Sequence, residues 1–330
     1  MLNITDESLI DNYRYLTEQF TKFVGPFLYI ICLMGTLMNI FTFSQRTFDR
    51  RACSFYLLVA SACDFIHLQL DPLANILQYG FSFNWTINAA SICTIKSYFA
   101  FTFMIISATL TTMASVSQYF LSSTNNRRWF YARRHIGIRF TKITFTFWFL
   151  SSIPVIFCSK RFAYFFQSHL LICSNPVRHT YCFPVQLIYI CLFNGFLPPF
   201  IMMICGFLTY QNIRERHHHR SKNSTASNRI KRINQQLAWM LILQSIKSTI
   251  ASVPYSIFNC YWLKTLHQHK TLLLQAQESL IHQIVYLLFW SNYTSFFVYY
   301  ASSDIFRQQW IKGMKMLVCC SDKKLNRNLF

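Results

Sequence analysis

The chain has 330 residues, 53% of them apolar, and carries a formal net charge of +20. Apolar residues arranged in repeated long runs exclude an ordinary soluble domain. They also turn the basicity away from nucleic acid, because membrane proteins concentrate Lys and Arg on the cytoplasmic side.

The first 22 residues are polar and acidic, with Asp6, Glu7, Asp11 and Glu18. They read as an extracellular tail, 1–22, without a cleavable signal peptide. Seven apolar runs follow, each about long enough to cross a bilayer: Phe23–Phe43, Cys53–Leu77, Ile92–Val116, Phe140–Cys158, Val185–Tyr210, Leu237–Phe258 and Leu280–Ala301. Backbone polar groups in lipid must be satisfied within the segment, so each run is a helix or a barrel strand. The runs are too long for barrel strands and do not alternate apolar with polar residues, which leaves helices. The expected fold is all-α: a seven-transmembrane helix bundle over 23–301, then a short amphipathic eighth helix and cytoplasmic tail over 302–330. With only 7 glycines, tight glycine-mediated helix packing cannot be general, and bulkier side chains must interlock.

Alternating sides at each run places 22 cationic residues on one face and 8 on the other, with Lys247 inside a run. That excess orients the amino end outside, as expected of a multi-pass plasma-membrane protein. Asn3 and Asn84 head glycosylation triplets on the outer side. Cys93 opens the third run, and Cys173 and Cys182 lie in the second outer loop. That compartment oxidises thiols, and a bridge from Cys93 to Cys173 or to Cys182 would shape a pocket mouth. Cys319 and Cys320 follow an amphipathic stretch and are candidates for S-palmitoylation.

Three ionisable residues sit within runs, where a charge costs about 2.5–3.5 kcal/mol on insertion scales and turns toward a bundle interior. Asp64 and Asp71 are seven residues apart, on nearly one helical face. Asp71 precedes Pro72, which should kink the helix by removing a backbone donor. It is expected to border a ligand cavity and to pair with Lys96 or with a cationic ligand group. Lys247 either reaches toward Asp64 as a tethered cation or snorkels to the cytoplasmic interface. His217, His218 and His219 lack a carboxylate or cysteine cluster, so no metal site is expected. No transferase, hydrolase or redox constellation is visible, and the chain reads as a non-enzyme.

In order and spacing, these residues resemble the rhodopsin-like (class A) G-protein-coupled receptors over roughly 20–320, with a looser likeness to invertebrate neuropeptide receptors. Asn39, Asp64, Cys93, Trp148, Pro198 or Pro199, Pro254 and Tyr299 take the places of the family's signature residues. The resemblance implies a receptor for an extracellular peptide or small-molecule ligand, coupled to a heterotrimeric G protein within the lipid bilayer. It implies a ligand site near Asp71, Lys96 and Ala100, and Cys93 in the family disulfide. It also implies a sodium pocket of Asp64 and Ser107, to which Asn292 and Ser295 could add oxygens; a water-filled polar network is the alternative. Gln118, Tyr119 and Tyr299 would face the G protein. The departures are consistent with one another. Gln118 stands where the family has arginine, Ser252 where it has tryptophan, and Phe296 where it has proline. The seventh run holds no lysine for a retinal Schiff base, and Ala100 replaces the aspartate that amine receptors use. A non-signalling seven-helix protein, either decoy or partner subunit, is the second reading. A transporter is disfavoured by the lack of an internal repeat.

Overall fold

The computed structural model describes residues 4–45, 48, 51–81, 83, 90–123, 126–159, 187–218, 225–265, 268 and 270–327. The described residues are helical almost throughout. They hold no strand, only an isolated antiparallel bridge between Arg51 and Arg133. The helices are α1 (Ile4–Phe43), α2 (Ala52–Leu70), α3 (Pro72–Asn75), α4 (Ala90–Ser122), α5 (Asn126–Tyr131), α6 (Arg134–Ser151), α7 (Ile153–Ser159), α8 (Leu197–His218), α9 (Thr225–Thr265), α10 (Leu272–Trp290), α11 (Ser295–Ser302) and α12 (Asp304–Arg327). Two π segments, Ile76–Gly80 and Leu187–Phe196, precede α4 and α8, and a 3₁₀ turn, Ser291–Thr294, joins α10 to α11.

Among the described residues six helical stretches are long and apolar enough to cross a membrane: Glu7–Phe43, Ala52–Gly80, Ile92–Ser122, Arg134–Phe157, Ile188–Arg214 and Gln235–Trp262. They coincide with the first six apolar runs. The seventh run is divided. Its outer helix, α10, begins among Gln275, Gln277, Glu278, His282 and Gln283, which dilute its apolarity, and the 3₁₀ turn interrupts it before α11. The seventh run therefore packs against α1 and α9 as two helices rather than as one continuous cylinder. The amino end also differs from expectation. The segment 4–22 is helical and continues into the first run, with Thr17 and Thr21 buried on its inner side.

The distribution of side chains is that of a lipid-facing bundle. On α1 the exposed positions Phe23, Phe27, Ile30, Met34 and Leu37 recur every three or four residues and form one apolar stripe. Ile281, Ile284 and Leu288 do the same on α10. Polar residues go inward instead, among them Asn39, Ser61, Ser107, Gln118, Asn194, Gln244 and Ser295. Hydroxyls satisfy themselves on the preceding turn, as Thr36 does on Cys32 O at 3.0 Å and Thr102 on Tyr98 O at 2.7 Å. Because lipid tails are as apolar as the side chains, helix association rests on close packing and interhelical hydrogen bonds rather than on water exclusion. Trp148 packs edge-on against Phe193 at 5.2 Å, and Tyr255 stacks on Phe289 at 4.8 Å.

Proline and glycine act where the helices bend or touch. Asp71 ends α2 and Pro72 starts α3, so the expected kink is present. Pro198 and Pro199 follow directly on the π segment Leu187–Phe196, so the missing donors fall where the helical hydrogen-bond pattern is already altered. Gly195 lies at a close approach of the fifth and sixth runs, where a Cβ would lie 1.7 Å from Ser256 Oγ, and Gly313 lies as tightly against the first run, where a Cβ would lie 2.2 Å from Gln45 Nε2.

At the outer end of α9, Lys270 Nζ meets Glu278 Oε2 at 2.6 Å, with side chains only 10% and 9% exposed, and Tyr261 donates to Glu278 Oε1 at 2.9 Å. Breaking such a pair from one side strands a buried charge, which costs about 3–5 kcal/mol. Glu278→Ala should therefore lower the thermal midpoint of the purified protein in detergent by several degrees. The double variant Lys270→Met, Glu278→Leu should recover most of the loss. A single variant as stable as the native chain would show the pair to be without weight.

Candidate functional site

The helices converge on a polar cavity of about 60 Å³ near the middle of the bundle. Asp64 and Ser61 reach it from α2, Ser107 and Thr111 from α4, and Asn292, Ser295 and Tyr299 from the seventh run. The four residues expected to form an ion pocket (Asp64, Ser107, Asn292 and Ser295) are thus brought onto one cavity wall. Ser107 lies within hydrogen-bond reach of Asp64. Asn39 on α1 donates from Nδ2 to Ser295 Oγ at 2.8 Å, tying the first run to the seventh.

Asn292 is the junction of this network. Its Nδ2 donates to Ser252 Oγ at 3.0 Å, and its backbone carbonyl accepts from Lys247 Nζ at 3.1 Å. Of the two readings of Lys247, the structure selects the inward one. The ammonium sits on the helix-seven wall and interacts electrostatically with Asp64, rather than snorkelling to the interface. The local backbone makes this contact possible. An α-helix commits each carbonyl to the amide four residues on, whereas the 3₁₀ turn at Ser291–Thr294 loosens that pattern and leaves carbonyl capacity for a side-chain donor. The seventh run therefore breaks here without a proline, since Phe296 follows Ser295.

Several polar atoms around the cavity have no hydrogen-bond partner among the described residues: Asn194 Nδ2, Gln244 Oε1, Asn292 Oδ1 and Tyr293 OH. A buried polar atom left unpaired costs about 1–3 kcal/mol. A cavity of this size and polarity holds water or a small cation. The carboxylate of Asp64 with the oxygens of Ser107 and Asn292 is a donor set that a hard cation such as sodium accepts; Ser295 Oγ is engaged by Asn39. Among the described residues no group of three or more His, Cys, Asp or Glu side chains could hold a metal.

The expected ligand residues are not assembled in the same way. Asp71 accepts a hydrogen bond from Tyr286 OH, and no ion pair joins it to Lys96 among the described residues. Lys96 is buried, and Ala100 is buried with its carbonyl 2.9 Å from His67 Nδ1. None of the three lines the central cavity. Of the two partners expected for Asp71, Lys96 is not paired with it; Tyr286 of α10 bonds the carboxylate instead. His282 stacks on Tyr286 with an interplanar angle of 5°, and Gln283 Nε2 donates to Asn75 Oδ1 at 3.0 Å. The spacing of His282, Tyr286 and Trp290, four residues apart on one helix face, was the available signal for this cluster.

At the end of the bundle where α12 begins, Gln118 is 1% exposed and Tyr299 is packed between Phe43 and Phe306, so neither presents its side chain at the surface. Tyr119 is half-buried beside Phe120. A different residue is prominent there. Gln236 of α9 accepts at Oε1 from Ser303 Oγ (3.2 Å) and from Ile305 N (3.0 Å), and its Nε2 lies 3.5 Å from Asp304 Oδ2. Ser303 Oγ in turn accepts from Phe306 N at 3.2 Å. Gln236 and Ser303 together satisfy first-turn amides of α12 that the helix itself cannot. The inner end of α9 is thereby latched to the α11–α12 junction.

Cys93 is disulfide-bonded. Cys173 and Cys182, and the glycosylation candidates Asn3 and Asn84, lie outside the described residues. Cys319 and Cys320 fall within α12, with side chains outside the described set. No protein-family description matches the chain, and no curated protein matches it. What the fold and cavity define is an all-helical protein with stretches apolar enough to cross a membrane and a polar cavity among them.

Lys247 and sodium would compete for the same electrostatic role beside Asp64. The native chain should melt at the same temperature in sodium and in N-methylglucammonium buffers, whereas Lys247→Met should gain several degrees in sodium. Adding Asp64→Asn should remove that gain. Equal behaviour of native chain and Lys247→Met would contradict the tethered-cation role.

Proposed function

We propose that the chain is a rhodopsin-like G-protein-coupled receptor. In this reading it crosses the plasma membrane seven times with its amino end outside. It binds an extracellular ligand, most consistent with a peptide, and passes the signal to a heterotrimeric G protein by rearranging its helices. The observation that carries this reading is the central cavity, where residues from five separate runs share one polar wall around Asp64. A static scaffold gains nothing from an expensive, incompletely satisfied polar centre, whereas a switch needs an element with two arrangements of similar free energy. A ligand shifts such an equilibrium only through different affinity for the two states.

In the resting arrangement Asn292 is held by Ser252 and Lys247 of α9, and Gln236 holds the same helix at its inner end. A ligand pressing on the outer aromatic cluster of Tyr255, His282 and Tyr286 would act on α9 above Pro254 and on the seventh run together. Outward movement of the inner end of α9 would release Gln236 and open a surface for the transducer. If a sodium ion takes part, Asp64, Ser107 and Asn292 would hold it, and its positive charge would favour the resting arrangement. A disulfide from Cys93 to Cys173 would fix the outer loop, and lipid on Cys319 and Cys320 would fix α12 to the bilayer.

The second reading, a seven-helix protein that does not signal, is favoured by Gln118, which is uncharged and buried where the resemblance calls for an arginine. A nucleotide-exchange assay with the reconstituted chain, heterotrimeric G proteins and a peptide library separates the two. Ligand-stimulated exchange by the native chain supports the receptor; exchange seen only with Gln118→Arg supports the non-signalling protein. In the same assay Gln236→Ala should raise ligand-independent exchange by about three- to tenfold, the weight of one or two net hydrogen bonds. No rise would show the latch to be incidental.

A further inference from the structure

Below the crossing of the fifth and sixth runs, α8 and α9 diverge and leave a second cavity of about 200 Å³. Its walls are two facing stripes at helical spacing: Tyr210, Ile213 and Arg214 on α8, and Gln235, Ala238, Trp239 and Ile242 on α9. The roof is the close approach of Gly206 to Ile242, where an added Cβ would lie 3.2 Å from Ile242 Cγ1. Tyr210 and Trp239 meet edge-on at 5.9 Å, and each is 43% exposed, so they open outward rather than into the bundle. The depth is defined as well. After Ile213 the sequence turns to Arg214, Glu215, Arg216 and three histidines, and before Leu237 it reads Asn234, Gln235 and Gln236, so the groove lies where apolar helix gives way to polar sequence. Tyr and Trp prefer that boundary.

The charge of the adjoining sequence is one-sided. Arg214 is exposed and forms no ion pair with a carboxylate among the described residues. Between residues 214 and 232 there are 7 Lys or Arg and a single acidic residue, Glu215. A deep apolar slot with a cation at its rim matches an amphiphile with one anionic head. Free phosphate would have no use for the slot, and a neutral lipid would have none for the arginine.

We propose that this groove is a binding site for an anionic glycerophospholipid of the leaflet on the basic side. One acyl chain lies in the slot beside the Tyr210–Trp239 pair, against Ile213, Ala238 and Ile242, and the phosphate is held by the Arg214 guanidinium. The site rests on the membrane reading and on the basic face being the cytoplasmic one, but not on signalling. A lipid wedged there would contact both helices and so bias how far the inner end of α9 stands from α8.

The test uses the full chain, purified and reconstituted in nanodiscs of mixed phosphatidylserine and phosphatidylcholine, with retained lipid counted by native mass spectrometry. The native chain should retain phosphatidylserine over phosphatidylcholine. Arg214→Gln should reduce that preference by about fivefold, as expected for one interfacial cation. Ile213→Trp, which fills the slot, should lower retention of both lipids. Arg139→Gln, an exposed cation on another helix, should change nothing. The site is overturned if Arg214→Gln keeps the native preference or if Arg139→Gln loses as much. It is also overturned if water-soluble glycerophosphoserine displaces the lipid as well as the intact phospholipid does. Because no G protein enters the measurement, failure here is distinguishable from failure of the receptor reading.

Discussion

The architecture depends on one constraint: a polar group within the hydrocarbon layer must find its partner inside the protein. Threonines and serines meet the constraint locally by returning their protons to the preceding turn. Asn39, Asp64, Lys247 and Asn292 cannot, because their groups are too large or too charged. They must be matched across helices: Asn39 ties the first run to the seventh, and the second, third, fifth, sixth and seventh runs line one cavity. The outer surface shows the complementary half of the same rule, with large apolar side chains facing outward on α1, α6, α9 and α10.

The seventh run carries most of the tension this creates. A continuous helix would have kept its carbonyls to itself. The 3₁₀ turn instead lets Lys247 attach to Asn292 O and leaves Asn292 Oδ1 free to face the cavity. A lysine arriving from the neighbouring helix thus accompanies a break that proline would otherwise impose from within the chain. The two halves of α9 are held differently, one by packing and by Tyr261 on Glu278, the other by Gln236 on the α11–α12 junction. Pro254 lies between them, where the helix lacks one backbone donor. A helix fastened at separated points around a weakened middle is suited to moving as two pieces.

Much of this was legible in the sequence, for definable reasons. Apolar runs and prolines act locally, so six helical stretches and the kink at Pro72 stand where the pattern put them. Asp64, Ser107, Asn292 and Ser295 could be named together only because the resemblance supplied spacing between runs; periodicity alone does not say which helix faces which. What escaped was non-local. The link from Asp71 to Tyr286 spans 215 residues and that from Gln236 to Ser303 spans 67, and a glutamine or tyrosine in a run carries no mark of its partner. The helical start at Ile4 was hidden by acidic residues, which helices tolerate well in their first turns. The division of the seventh run follows from a polar outer half that the apolar count from Leu280 did not include.

Whether the seventh run crosses the bilayer is the point on which cavity, orientation and function all turn, since Asn292 and Ser295 face Asp64 at mid-bundle only if it does. Six crossings would put both chain ends on one side; seven put them on opposite sides. Antibody access to epitope tags at residue 1 and residue 330, compared in intact and permeabilised cells, reads this directly. The account predicts an amino-terminal tag stained on intact cells and a carboxy-terminal tag stained only after permeabilisation. Equal staining of both tags on intact cells, or of neither, would contradict it.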